Sequence, residues 1–342
     1  MRLEKYKNNP ILTPNENDWE NLSVCNPGAW YEDGTFYMLY RAAGNDKDYV
    51  IHFGLATSTD GFNFTRVSDK PVMSPRDTNF DEGCIEDPRI VKFHDEYYIT
   101  YAFRPFPPGQ YWLPTEPTEK RYPVAPEAPL VLKNNIATSA LAMTKDFRHF
   151  KRLGRITDSR LDDRDVILFP EKINGKFVML HRPKEWVGEK YGCDDPAIWI
   201  TYSDDLMEWD EESRLLAKGA FDWEAKIGGS TPPLRTDKGW LMLYHAVGDD
   251  KTYRVGAMLL DLENPEKILA RTKTPILEPE YDFEKIGIYS KGGGCVFPTG
   301  NCIVNDTLYV YYGAADKNIG VATCNINELL DFLINENSCV NE

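Results

Sequence analysis

Gly34-Thr-Phe-Tyr-Met-Leu-Tyr-Arg41 is a turn followed by an alternation of aromatic and aliphatic residues that ends on a charge, and the pattern returns four more times. The other copies are Glu96-Tyr-Tyr-Ile-Thr-Tyr-Ala-Phe103, Gly175-Lys-Phe-Val-Met-Leu-His-Arg182, Gly239-Trp-Leu-Met-Leu-Tyr-His245 and Asp306-Thr-Leu-Tyr-Val-Tyr-Tyr-Gly313. Their β-branched and aromatic content reads as strand. Upstream of each, an apolar run (28–31, 89–93, 169–173, 232–234 and 295–304) leads into a turn at Asp33-Gly34, Asp95, Asn174-Gly175, Asp237 or Asn305-Asp306, which predicts hairpins. A third strand follows at 53–58, 139–143, 197–202, 255–260 and 319–323, and several copies add a fourth segment, such as 60–64 or 146–150. Five such meanders, spaced by roughly 60 to 80 residues, predict an all-β, five-bladed β-propeller. No βαβ alternation is present, and a β-sandwich is the structural alternative. Ile326, Leu329, Leu330 and Leu333 lie at helical spacing and predict a short C-terminal helix that closes one side of the disc.

Bulk properties fit one large all-β domain over residues 1–342: the chain is 42% apolar and 13% aromatic, enough for a substantial core. The formal charge of −15 and the lack of any run of five Lys or Arg argue against nucleic acid or an anionic membrane as partner. The amino terminus has no apolar leader and no stretch approaches a membrane span, so the expected compartment is cytoplasmic. Seven scattered cysteines (25, 84, 193, 295, 302, 324 and 339) form no CxxC pair, which argues against a disulfide framework or zinc site. The histidines (52, 94, 149, 181 and 245) form no HxxxH pair, and no metal or cofactor is expected.

In a propeller the first strand of every blade lines the central channel, so polar residues far apart in sequence converge there. That brings together Asn26, the run Glu86-Asp87-Pro88-Arg89, Arg164-Asp165, Lys226 and the segment 290–294. Pro88 predicts an extended Asp87, and Arg89 is placed to anchor a neighbouring carboxylate. Arg41, Arg182 and His245 end second strands, and with Arg164 and Lys226 they make a basic group in an acidic protein. If these converge, an anion must sit among them, and Arg geometry suits phosphate. Taken singly, each has a plainer reading as a turn residue or a surface ion pair.

The motifs, from Asn26-Pro27-Gly28-Ala29 and Tyr40-Arg41 through Glu86-Asp87-Pro88-Arg89, Leu168-Phe169-Pro170-Glu171, His181-Arg182-Pro183, Lys226-Ile227-Gly228 and Tyr244-His245 to Tyr311-Tyr312-Gly313-Ala314-Ala315-Asp316, together resemble glycoside hydrolase family 130. That family comprises β-mannoside phosphorylases and related β-mannosidases on five-bladed propellers. The resemblance implies Asp87 as general acid, acting through a hydroxyl of the mannosyl unit. It implies Arg164, Arg182, Lys226, His245 and Tyr253 as phosphate-binding and Asn26 and Arg41 as sugar-binding, with Glu86 and Arg89 beside them. The expected reaction is inverting phosphorolysis of a β-mannoside oligosaccharide, with inorganic phosphate as co-substrate, to α-mannose 1-phosphate. An inverting hydrolase needs a second carboxylate as base, whereas phosphate needs cations to hold it, so the basic group favours phosphorolysis. The alternatives are an inverting β-mannosidase and a non-catalytic carbohydrate-binding propeller.

Two positions depart from the family pattern: Asp165 stands where Asn is expected and Ala246 where Gly is usual. Residues 105–134 form a Pro-rich insertion after the acid-bearing hairpin, including Pro105, Pro107, Pro108, Pro114, Pro117, Pro123, Pro126 and Pro129. It reads either as a rigid surface loop or contact between copies of the chain, or as a wall of the acceptor subsite, with Tyr111 and Trp112 stacking on a sugar.

Overall fold

The computed structural model describes residues 1–75, 81–113, 124–210 and 212–337; Pro114, Pro117, Pro123 and Cys339 lie outside them. After a short β1 (Glu4–Lys5), blade 1 is formed by β2 (Ser23–Glu32), β3 (Thr35–Ala43), β4 (Ile51–Ser58) and β5 (Thr65–Arg66). Blade 2 has β6 (Cys84–Phe93), β7 (Glu96–Arg104), β8 (Thr138–Thr144) and β9 (Phe150–Arg155), with helix α1 (Leu130–Lys133) between β7 and β8. Blade 3 has β10 (Asp163–Leu168), β11 (Phe177–Pro183), β12 (Ile198–Ser203) and β13 (Arg214–Ala217). Blade 4 has β14 (Lys226–Gly229), β15 (Leu234–Arg235), β16 (Trp240–Val247), β17 (Tyr253–Leu260) and β18 (Ile268–Arg271). Helix α2 (Asp282–Lys285) leads to blade 5, with β19 (Val296–Val304), β20 (Thr307–Ala314) and β21 (Asn318–Asn325), and α3 (Ile326–Glu336) follows.

Each blade is an antiparallel meander, and the propeller expectation is met. Among the described residues, blade 5 alone borrows a strand: its order is β1-β21-β20-β19, so Glu4–Lys5 supplies its outer edge and closes the ring. The turns Asp33-Gly34, Asn174-Gly175 and Asn305-Asp306 have positive φ at both central residues, the hairpin geometry that matches strand twist. One first strand differs from expectation. It lies at Asp163–Leu168 rather than 169–173, because Pro170 has no N–H for the ladder and residues 169–173 become the connection to the turn. Pro232 and Pro233 likewise leave only Leu234–Arg235 as strand before the blade 4 hairpin.

Alternate residues of each strand face opposite neighbouring blades. Met38 and Tyr40 of β3 pack with Tyr311 and Val321 of blade 5, while Leu39 packs with Ile90 and Ile99 of blade 2. Both faces are therefore buried, which is why the repeats read as nearly unbroken apolar runs. Four blades also carry a polar bolt. Tyr40, Tyr101, Tyr244 and Tyr312 donate to the buried acids Glu20, Asp81, Glu224 and Glu284. Arg66, Arg152, Arg271 and Lys5, all from outer strands, pair with those acids in turn. Helix α3 buries Ile326, Leu329, Leu330 and Leu333 against the core of blades 4 and 5. Among the described residues, no helix is long and apolar enough to cross a membrane.

Candidate active site

The innermost strands of blades 1, 2 and 3 share one irregularity. Their registers slip by a residue between Cys25 and Gly28, Glu86 and Arg89, and Arg164 and Ile167. Inside each slip stands a residue with positive φ: Asn26 (45°), Asp87 (56°) and Asp165 (59°). An extra residue in one strand breaks the alternation and re-aims its side chain, here toward the channel, and Asn and Asp tolerate the left-handed conformation better than most. The extended Asp87 expected before Pro88 is thus corrected. The bulge overrides the proline, and Arg89 Nη1 fixes the peptide by donating to the Asp87 carbonyl at 3.1 Å.

These bulges open on a cavity of about 870 Å³. On one side Asp87 Oδ1 accepts from Asn26 Nδ2 at 2.8 Å and from Arg41 Nη1 at 3.1 Å. Glu86 lies behind, 3.4 Å from Arg41 Nη1 and 3.6 Å from Arg104 Nε. Burial would raise its pKa, but Arg41, Arg104 and Arg164 outweigh that and hold the carboxyl below its ordinary range. Asp316 faces the same space with its carboxyl pushed up, by burial first and then by Asp87 and Glu86 against the pull of Arg41. Among the described residues, Asn26 Oδ1 and Arg41 Nε are buried without a hydrogen-bond partner, the oxygen lying against Gly313 of blade 5.

Across the cavity the chemistry changes sign. Arg164 holds both oxygens of Asp162, at 2.7 and 2.9 Å. Arg182 Nε donates to Asp165 Oδ2 at 2.6 Å, and its side chain lines the cavity. Asp165 also lies 3.3 Å from Arg89 Nη2 and 3.5 Å from His245 Nε2. Burial opposes its ionisation, yet Arg182, His245 and Arg89 bring its pKa well below the usual carboxylate range. A Cβ on Gly228 would lie 2.5 Å from His245 Cε1 and 2.7 Å from Asp165 Oδ2, so only glycine permits this approach. Lys226 Nζ stands 3.4 Å from the Tyr253 hydroxyl. Burial, followed by Arg182, lowers Lys226 to about 8. Burial likewise lowers His245 to about 3, so the imidazole is neutral near pH 7.

Comparison with known proteins decides the family. The profile of glycoside hydrolase family 130, described as beta-1,4-mannooligosaccharide phosphorylase, matches residues 2–106 and 132–335. The chain belongs to glycoside hydrolase family 130. It is 39% identical over 336 residues to a 1,2-beta-oligomannan phosphorylase of Thermoanaerobacter sp. (strain X514), covering 96% of this chain and 99% of that one. A beta-1,2-mannobiose phosphorylase from the same organism is 36% identical, over 94% and 97% of the two chains. Among solved structures, the beta-1,2-mannobiose phosphorylase of Listeria innocua, in complex with beta-1,2-mannobiose, superposes with a TM-score of 0.78 at 27% identity, over 98% of this chain and 100% of that one.

Within this family 130 chain, Asn26, Arg41, Glu86, Asp87, Arg164, Arg182, Lys226, His245, Tyr253 and Tyr111 all line one cavity. Two residues expected to bind sugar do not line it. Arg89 is 2% exposed and donates to Ser230 O at 2.7 Å and to the Asp87 carbonyl at 3.1 Å, so its guanidinium is engaged by backbone. Trp112 packs edge-on against Tyr49, in the apolar cluster of Ala43, Ile51 and Cys84, because that face offers an indole more apolar surface than the cavity does. The cavity also admits residues to which the sequence reading gave no role: Arg104, Lys184, Tyr289, Phe297 and Asp316. Asp316 lay within a quoted motif, and only the positive φ at Ala315 and Asp316 brings its carboxyl to the cavity.

Proposed function

We propose that this chain is an inverting phosphorylase that cleaves β-mannosides with inorganic phosphate to give α-mannose 1-phosphate, needing no further cofactor. The observation that carries the reading is the convergence of Asp87 with Arg164, Arg182 and Lys226 on one cavity. A phosphate oxygen bonds to the anomeric carbon as the bond to the bridging oxygen breaks, and a proton originating on Asp87 ends on the departing oxygen. Asn26 and Arg41 hold the mannosyl unit beside the acid. Arg164, Arg182 and Lys226 hold phosphate and disperse its charge in the transition state. His245, neutral, with Nε2 3.5 Å from Asp165 Oδ2 and Nδ1 hydrogen-bonded to the Ser230 hydroxyl, positions this cluster rather than adding charge to it.

Asp165 favours a second reading, because a carboxylate on the nucleophile side is what an inverting β-mannosidase would need. Its three cationic or N–H partners make it a weak base, which supports phosphorolysis instead. The relatives named for β-1,2 substrates are 36–39% identical and those named for 1,4-linked ones 26%, which supports β-1,2 as the linkage. Six free thiols among the described residues suit a reducing, cytoplasmic compartment. Incubation of purified protein with β-1,2-mannobiose tests the reading. Mannose 1-phosphate of α configuration, formed only when phosphate is supplied, is expected. Equal release of free mannose without phosphate would replace it with hydrolysis.

A further inference from the structure

The cavity has a third wall that belongs to neither the acid nor the basic group. Phe106, Pro107, Pro108, Tyr111 and Leu132 contribute to it, all from the excursion between β7 and β8. The family profile passes over residues 107–131. Pro107, Pro108 and Tyr111 of this wall lie in that stretch, and the wall is fastened at both ends. Asn135 clasps Phe106 through two hydrogen bonds of 3.0 Å, one to each backbone polar group, while Arg104 Nη1 donates to Asn135 O at 2.7 Å. Further along, Gly109 N donates to Asp48 O at 2.9 Å and Gln110 Nε2 to Asp46 O at 3.0 Å, so blade 1 holds the far end.

Between these fastenings Tyr111 stands half in the open, 48% exposed, with Trp112 and Tyr49 set edge-on to it at ring-centroid distances of 5.2 and 6.3 Å. Trp112 in turn is seated on the apolar cluster beneath. A large aromatic ring that is braced from behind and left open toward a polar cavity costs little conformational entropy to use, and a pyranose offers it an apolar face of C–H groups. Tyr49, which braces Tyr111, packs with Ala43 and Ile51 of blade 1 and Cys84 of blade 2, the blades that also carry Arg41, Glu86 and Asp87, so the ring stands on the acid side of the cavity.

Inverting displacement puts the departing sugar on the acid side, opposite phosphate. Resting on the phosphorylase reading above, we propose that Tyr111 is the stacking platform for the leaving-group sugar, and that the braced excursion carrying it determines which acceptors the enzyme takes. Trp112 acts as its buttress, not as a second platform.

Synthesis from mannose 1-phosphate as donor, with mannose and β-1,2-mannobiose as acceptors, tests this. In Y111A the acceptor KM should rise about ten-fold, the size of one aromatic contact, while the mannose 1-phosphate KM stays close to wild type. Y111F keeps the ring and should restore the acceptor KM. Y111L keeps apolar bulk without a flat face and should behave as Y111A does, which covers the case of a poorly folded alanine variant. An acceptor KM unchanged in Y111A or Y111L, or donor and acceptor KM raised together, overturns the platform. Failure of the wild-type protein to transfer mannose to either acceptor, and to use phosphate in reverse, would instead overturn the phosphorylase reading.

Discussion

Asp87 accepts hydrogen bonds from Asn26 and Arg41 on a backbone bulge that few residue types tolerate. Asp87→Asn keeps the shape and removes the proton, so kcat on β-1,2-mannobiose should fall by about a hundred- to ten-thousand-fold. Activity within a few-fold of wild type would remove Asp87 from the chemistry. Lys226 makes a prediction in pH. Its pKa is lowered to about 8, so its charge is present below that value and lost as pH rises through it. The KM for phosphate should therefore climb above about pH 8 in the wild type and remain flat to higher pH in Lys226→Arg, whose guanidinium stays charged. Steady-state kinetics across pH 6 to 10 would show a common profile if Lys226 played no part. Most of these residues were legible in the sequence, because polar groups at equivalent repeat positions converge in a propeller. Arg89 and Trp112 were misread because sequence spacing places a residue near a channel without saying whether its side chain faces into it.

One strand pair shows how the blades hold the basic cluster in place. His181 of β11 lies 2.8 Å from Asp163 Oδ2 and 2.8 Å from the Ser213 hydroxyl, and Asp163 Oδ1 accepts from Arg182 N at 3.1 Å. Blade 3 uses this relay where four other blades place a tyrosine bolted to an acid. Its consequence falls on Arg182, one residue on, whose side chain lines the cavity. His181→Ala should raise the KM for phosphate several-fold while the KM for the sugar acceptor in synthesis moves little; a pure loss of thermal stability with both KM values unchanged would make the relay structural only. The bulges themselves were not legible. Alternating patterns announce a strand, but an inserted residue costs one position of register and leaves no compositional mark beyond Asn or Asp before the slip. Pro88 suggested extended backbone at Asp87, and tertiary contacts decided otherwise.

The ring as a whole depends on a segment that the repeat pattern does not announce. The five copies account for every blade, but blade 5 is completed by Glu4–Lys5, too short to register as a strand in the sequence and recognisable only from its partner β21. The expected closure by the C-terminal helix is accordingly shared: α3 covers the outer side of blades 4 and 5, while β1 joins the two ends of the chain. Lys5 Nζ reaches the fully buried Glu284 at 2.8 Å, which also accepts from Tyr312, and Leu3 is buried in the core of the same blades. Removing residues 1–5 would leave Glu284 as an uncompensated buried charge, a loss of about 3–5 kcal/mol for one partner of such a pair, beyond the exposure of Leu3. The truncated protein should unfold at clearly lower temperature and denaturant concentration than the full chain. Glu284→Gln in the truncated background should recover part of the difference, since the amide needs no counter-charge. If Lys5→Met alone unfolds at the wild-type temperature, the seam is held by β1 hydrogen bonds and Leu3, not by the ion pair, and the truncation penalty should then be unaffected by Glu284→Gln.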